Sequence, residues 1–302
     1  MEDYTRTIES WGKIFKDFQQ VENVRVDSSA ERVDITIKGR KDILQATQNE
    51  LDDNLYKFRC NPREVATDFL KKHNVLVYYK DTLVGYFDIM GYSSFIEKNP
   101  IEESIKKISK FFQDTGCFLK TDIYDVKLDH WILSDSIILV VDTNRCRLFA
   151  GSLEFFLGAC SSIMSDSMQE GFPLRGAIGG GDFYKDGEVM VSSALIDAYN
   201  YEKKQEWLGA ILTPKALELV ENAKQFEKKM VGQTKIDFSS EKFNPFVRYG
   251  KIPWKEDGQK PSETYYIKPF QSADKDWVSK LPKYFCRDSE KIKNSHCLYA
   301  TD

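Results

Sequence analysis

An α+β fold built on a mostly antiparallel sheet is what this sequence predicts, and two observations predict it. From about residue 76 the strand-like and helix-like segments follow the order β-α-β-β-α-β-α-β-α-β-β, which is neither strict β-α alternation nor an all-β series. Two strand pairs also read as hairpins. One is Val126 to Leu133 with Ile137 to Val141, joined by the polar turn Ser134-Asp135-Ser136, and the other is Phe246 to Trp254 with Thr264 to Ile267. The nearest common architecture is a palm-like, ferredoxin-related sheet with helices packed on one face.

The elements follow in chain order. Trp11, Ile14, Phe15 and Phe18 fall on one helical face, Arg32 to Ile37 alternates as a strand, and Leu44 to Lys57 reads as a helix. This polar stretch, residues 1–75, carries no recognisable chemistry and is expected to be an accessory or oligomerisation segment. Val75 to Tyr79 and Leu83 to Ile89 are strand-like. Gly91 with Ser93-Ser94 opens a helical stretch in which Ile101, Ile105, Ile108, Phe111 and Phe112 form an apolar stripe. Leu148 to Met168 reads as a helix, Leu174 to Ile178 as a short strand followed by the glycine loop Gly179-Gly180-Gly181, and Val189 to Val191 as a strand before a helix over Ala194 to Trp207. Ala210 to Thr213 is a strand, and Pro214 starts a helix at the position proline favours. Residues 76–270 are therefore expected to form one domain, with a tail at 271–302.

Composition narrows the classes of function. The 302 residues carry 43 Lys and Arg against 47 Asp and Glu, a formal net charge of −4. A pI near 5.6 argues against a general nucleic-acid coat, which needs a basic face. No apolar run is long enough to span a bilayer, and MEDYTRTIES has no apolar core of a secretory signal. The six cysteines include no C-x-x-C pair and read as reduced thiols of a cytoplasmic protein. His73, His130 and His296 make no zinc-hydrolase spacing, and neither G-x-S-x-G nor a P-loop occurs.

The chemistry concentrates in two acids. Asp88 stands where the apolar strand Gly85-Tyr86-Phe87-Asp88-Ile89 meets Met90-Gly91, and Asp135 stands in the turn between Trp131-Ile132-Leu133 and Ile137-Ile138-Leu139. A carboxylate among such strands is costly to desolvate unless it is paired or bound to a cation. Two acids on adjacent strand ends suit divalent ions whose shells are completed by substrate phosphates. Taken singly, each also reads as a turn or helix-capping Asp.

Phe87-Asp88-Ile89-Met90-Gly91-Tyr92-Ser93 resembles the F-x-D-I-x-G-F-[ST] signature of class III nucleotide cyclases. Ser134-Asp135-Ser136, 47 residues after Asp88, resembles their second metal-binding Asp in a hairpin turn. Arg175 to Gly181 is similar to the family's next strand. Ala198-Tyr199 and Glu202, before Trp207, look most like the bacterial pyrimidine cyclases of Pycsar antiphage signalling.

The resemblance implies a class III cyclase-like domain that closes a nucleoside triphosphate to its 3′,5′-cyclic nucleotide, with UTP expected before CTP. It implies two Mn²⁺ or Mg²⁺ ions on Asp88, Asp135 and the backbone carbonyl of Ile89. Phosphate contacts are expected from Met90, Gly91, Tyr92 and Ser93 at a helix start, from Arg175, and from Lys251 in the terminal hairpin. A homodimer with interfacial sites and a separate effector that reads the product are also implied.

Two departures qualify this. Where purine cyclases carry an Asn and a transition-state Arg, the chain has Ile196 and Asn200, leaving Asn200 to orient the ribose. Trp131 takes the base-selecting place, where it fills space and accepts no hydrogen bond, or is ordinary core packing. A purine cyclase and a non-catalytic nucleotide-binding module are the rival readings. Gly180-Gly181-Asp182-Phe183 is read as a chance likeness to the GG[DE]EF signature, and Glu202-Lys203-Lys204 and Glu227-Lys228-Lys229 as solvent-facing runs.

Overall fold

The computed structural model describes residues 7–57, 62–119, 128–141, 150–231, 247–255 and 262–267. The chain divides into two compact units, Met1–Tyr78 and Tyr79–Asp302. The expected tail 271–302, Val126, Leu148 and Phe246 lie outside the described residues.

The first unit sets α1 (Ile8–Lys16), α2 (Gln48–Lys57) and α3 (Pro62–Lys72) with an antiparallel sheet in the order β1 (Val21–Asp27), β2 (Arg32–Ile37), β3 (Ile43–Thr47). Thr7 caps α1, its hydroxyl accepting the Ser10 N–H. Trp11 and Phe15 from α1 pack on Val33, Ile35 and Ala46, all fully buried. The helix expected from Leu44 starts instead at Gln48. Leu44 and Ala46 point inward while Ile43, Gln45 and Thr47 are exposed, a period of two that pairs this segment with β2. The segment Val75 to Tyr78, expected as a strand, has no regular structure, although Val75 and Val77 are buried in this unit's core.

The second unit runs β4 (Tyr79–Ile89), α4 (Tyr92–Lys98), α5 (Ile101–Leu119), β5 (Leu128–Leu133), β6 (Ser136–Val141), α6 (Ala150–Glu170), β7 (Leu174–Asp186), β8 (Val189–Ser192), α7 (Ser193–Glu202), β9 (Ala210–Leu212), α8 (Pro214–Val231), β10 (Val247–Ile252) and β11 (Ser262–Ile267). Its sheet has the order β10-β11-β9-β7-β4-β6-β5, with β8 also paired to β7. Every pairing is antiparallel except β7 with β9. The stretch from β4 to β7 is a β-α-β-β-α-β unit with strands ordered β7-β4-β6-β5, so the α+β, ferredoxin-related expectation matches the topology.

The main core lies on one face, where Leu83, Phe87 and Ile89 of β4 and Ile137, Leu139 and Val141 of β6 meet Phe156, Ile163 and Met164 of α6. The alternate residues Val84, Ile138, Val140 and Phe183 face the other way and pack with Ala194 of α7. Helices therefore cover both faces of the sheet, not one.

The glycine run explains how. It lies inside the 13-residue β7, not in a loop after a short strand. A Cβ at Gly179 would stand 2.2 Å from the Ala194 carbonyl oxygen and 2.6 Å from the Ala198 nitrogen; one at Gly180 would stand 2.9 Å from the Ala216 nitrogen. The missing side chains let α7 on one face and the start of α8 on the other approach the strand backbone. Gly180 to Phe183 is thus strand interior. The helix expected to reach Trp207 stops at Glu202, because the buried Gln205 amide bonds to the Gly176 and Tyr201 carbonyls and holds the chain in a turn. Among the described residues no helix is long and apolar enough to cross a membrane.

Replacing Gly179 by Ala forces a methyl into helix backbone that has no side-chain freedom to yield. The expected cost is about 2–3 kcal/mol, read as a lowered denaturant midpoint of the second unit. An unchanged midpoint would show that α7 does not rest on this strand.

Candidate active site

Asp88 is the last outward residue of β4 before Ile89 turns back into the core, and it shares its face with Val84 and Tyr86. Across the sheet it stands opposite Ser136 of β6 on one side and Arg175 of β7 on the other. The β5–β6 connection has two residues, Ser134 and Asp135, with a positive φ of 59° at Ser134. The Asp135 carbonyl accepts the Ile89 N–H at 2.8 Å, which ties this turn to the end of β4.

These contacts open a cleft of about 480 Å³. The sheet contributes Tyr86, Asp88, Asp135, Ser136 and Arg175; α7 and its C-cap contribute Tyr199, Glu202 and Lys203; Lys255 enters after β10. The Tyr86 hydroxyl and Ser136 Oγ are 2.9 Å apart, and the Tyr86 and Tyr199 rings meet edge to face at 5.6 Å.

The charges are unequally partnered. Arg175 and Glu202 are 7% and 2% exposed and form an ion pair, Arg175 Nε donating to Glu202 Oε1, while Arg175 Nη1 reaches the Gln205 carbonyl at 3.5 Å. Asp88 is half-buried. Burial first, then the neighbouring Glu202 and Asp135, push its pKa up to about 6, against an opposing pull from Arg175 and a hydrogen bond from Ser136. A carboxylate held in this way is short of positive charge, and Asp135 beside it adds to the deficit. The donor chemistry therefore fits a divalent cation held by two carboxylates with room for further oxygen ligands. Among the described residues no group of three or more His, Cys, Asp or Glu forms a closed metal cluster.

Of the residues given a site role in the sequence, the structure brings together Asp88, Asp135 and Arg175. The others lie outside the cleft lining. Gly91 caps α4 with a φ of 73°, and the Met90 N–H is used on the Pro173 carbonyl at 2.9 Å. Tyr92 is half-buried against the main core, Ser93 is exposed at the start of α4, and the Ile89 side chain is buried in that core. Ile196 and Asn200 are exposed on α7, which turns Tyr199, Glu202 and Lys203 toward the cleft instead. The Trp131 ring is stacked on Phe183 at 5.9 Å with Lys185 Nζ 4.5 Å from its centroid. Lys251 is exposed opposite Glu263 in the β10–β11 ladder; the cleft lysine of this region is Lys255.

Sequence reasoning gave no site role to Tyr86, Ser136, Tyr199, Glu202, Lys203 and Lys255, although Tyr199 and Glu202 stand in the segment that resembles the pyrimidine cyclases. Glu202, read as part of a solvent-facing run, is buried because Arg175 receives it. One signal was available: Tyr199, Glu202 and Lys203 stand at i, i+3 and i+4, one helical face.

No protein-family model matches the chain, and no curated protein matches it. Among solved structures, the chain is similar to the catalytic core of a rhodopsin-guanylyl cyclase with converted specificity in complex with ATPalphaS, at 11% identity over 64% of this chain and 97% of that one, with a TM-score of 0.42. It is similar to the adenylyl cyclase CyaB from P. aeruginosa at 12% identity over 65% and 98%, TM-score 0.40. It is also similar to a non-canonical dimeric guanylyl cyclase domain of the RhoGC fusion protein from the aquatic fungus Blastocladiella emersonii at 11% identity over 63% and 94%, TM-score 0.42.

In the cation-free protein Asp88 takes up its proton near pH 6 when folded, against 3.8 as an ordinary carboxylate. The folded state then binds more protons than the unfolded state between these values, so stability falls as pH rises through that window. Denaturant titrations should show this fall in the wild type and its absence in Asp88→Asn. Equal pH profiles would contradict the burial of this charge.

Proposed function

We propose that the chain is a metal-dependent nucleotide cyclase that converts a pyrimidine nucleoside triphosphate, UTP before CTP, to the 3′,5′-cyclic nucleotide and pyrophosphate. The observation that carries this reading is the meeting of Asp88, from the segment that resembles the cyclase signature, with Asp135, from the turn that resembles the second metal site, in one cleft that also holds Arg175, Lys203 and Lys255. In the reaction the ribose 3′-oxygen bonds to the α-phosphorus, the α–β bridging bond breaks, the hydroxyl proton is lost and pyrophosphate leaves.

Asp88, Asp135 and the Ile89 carbonyl would hold Mn²⁺ or Mg²⁺, which supplies Lewis-acid activation of the hydroxyl and neutralisation of the phosphates. At neutral pH Asp88, with its pKa near 6, is mostly ionised and so available to a cation. Lys203, whose Nζ donates to the Tyr199 hydroxyl, and Lys255 place two ammonium groups on the cleft wall for the phosphate chain. The Tyr86 and Tyr199 rings give the cleft an aromatic wall; Trp131 lies outside this lining, so the pyrimidine preference rests on the sequence resemblance.

A second copy of the chain completes the reading. Leu133 on the edge strand β5, Val191 on β8 and Ile196 on α7 are 57%, 62% and 62% exposed, apolar positions suited to a homodimer whose sites draw on both protomers. The product is read as a second messenger in antiphage defence, made in the cytoplasm and sensed by a separate effector.

Purified protein offered ATP, GTP, CTP and UTP with Mn²⁺ should give cyclic UMP or cyclic CMP by mass spectrometry, with none from Asp88→Ala or Asp135→Ala. A cyclic purine product would overturn the base assignment; no product from any of the four would favour a nucleotide-binding module. For the dimer, Val191→Glu with Ile196→Glu should sediment as a monomer and lose turnover. A monomeric variant of full activity would contradict interfacial sites.

A further inference from the structure

The Arg175–Glu202 pair takes no part in holding the cation, yet it lines the cleft. Both partners are more than nine-tenths buried. The turn that follows Glu202 is locked: Gln205 Nε2 donates to the Gly176 carbonyl at 2.8 Å, its Oε1 accepts the Trp207 indole N–H at 2.7 Å, and the Lys255 N–H donates to the Lys204 carbonyl at 2.7 Å. The pair is thus firmly seated; the turn carries Lys203, and its Lys204 carbonyl holds the Lys255 backbone beside the cleft. Arg175 is the cross-strand neighbour of Asp88 in the sheet, so its charge lies beside that carboxylate.

A lone buried guanidinium beside Asp88 would do two things. It would satisfy that carboxylate, weakening its hold on a cation, and it would draw a phosphate toward the metal end. Glu202 prevents both. We propose that Glu202 is a positioning residue that neutralises Arg175, so that the Asp88–Asp135 end stays open to divalent cations and the polyphosphate is received by Lys203 and Lys255 instead of Arg175. The inference rests on the reading of Asp88 and Asp135 as a cation site and names what keeps that site selective.

The test uses the full chain without nucleotide, with Mn²⁺ binding followed by electron paramagnetic resonance and inorganic pyrophosphate binding by calorimetry. Wild type against Asp135→Asn checks the underlying reading: if wild type binds no Mn²⁺, or both bind alike, the cation site fails and the inference falls with it. Given a cation site, Glu202→Gln keeps an acceptor for Arg175 Nε but removes the charge. Mn²⁺ binding should weaken about tenfold while pyrophosphate binding tightens by a similar factor. Weakening of both, or change in neither, overturns the proposal, since structural damage does not move the two ligands in opposite directions.

The paired variant Arg175→Gln/Glu202→Gln removes both charges and decides the matter if the single variant fails to fold. It should bind both ligands within about twofold of wild type, because the pair it removes is neutral. Retained Mn²⁺ binding with about tenfold weaker pyrophosphate binding would make Arg175 itself the phosphate ligand and overturn the proposal.

Discussion

A carboxylate at the end of an apolar strand is the constraint around which the second unit is arranged. Asp88 follows fully buried Val84 and Phe87 and faces the side of the sheet away from the main core. Burial and two neighbouring acids raise its proton affinity. A fold keeps such a group when a proton or a cation arrives to balance it. The surrounding features serve that end: Ser136 bonds the carboxylate, the Ile89–Asp135 backbone bond brings up the second acid, and Glu202 removes the competing charge of Arg175.

The backbone makes this possible through close packing more than through any loop. The absent side chains of Gly179 and Gly180 let α7 and α8 rest on opposite faces of β7. Because α7 lies close on that strand, its last turn delivers Glu202 to Arg175 and Tyr199 to Tyr86. The glycine run thus contributes to the cleft at a distance, by setting how near a helix comes to the sheet.

This also explains what was legible in the sequence. Asp88 and Asp135 could be picked out because their settings are local: a strand end beside Gly91 and a two-residue hairpin turn. The β-α-β-β-α-β order was legible from periodicity. Glu202 was not, because its partner is 27 residues away and its neighbours Lys203 and Lys204 give it the look of a solvated run. The glycine run read as a loop because composition does not distinguish a flexible turn from a strand on which helices sit. Leu44 to Thr47 read as helix because four residues are too few to separate periods of 2 and 3.6, and pairing with β2 decided the matter. Lys251 was named on likeness to a terminal hairpin; Lys255 was not considered, because its backbone bond to Lys204 is a tertiary contact with no local sign.

The central claim is that Asp88 and Asp135 form one cation site at the head of a phosphate cleft. Anomalous scattering from Mn²⁺ in crystals of the full chain grown with a non-cyclisable UTP analogue tests it most directly. The account predicts manganese peaks in contact with both carboxylates, with the phosphate chain directed toward Lys203 and Lys255. Manganese bound elsewhere, or a nucleotide that leaves Asp88 and Asp135 without metal, would contradict it.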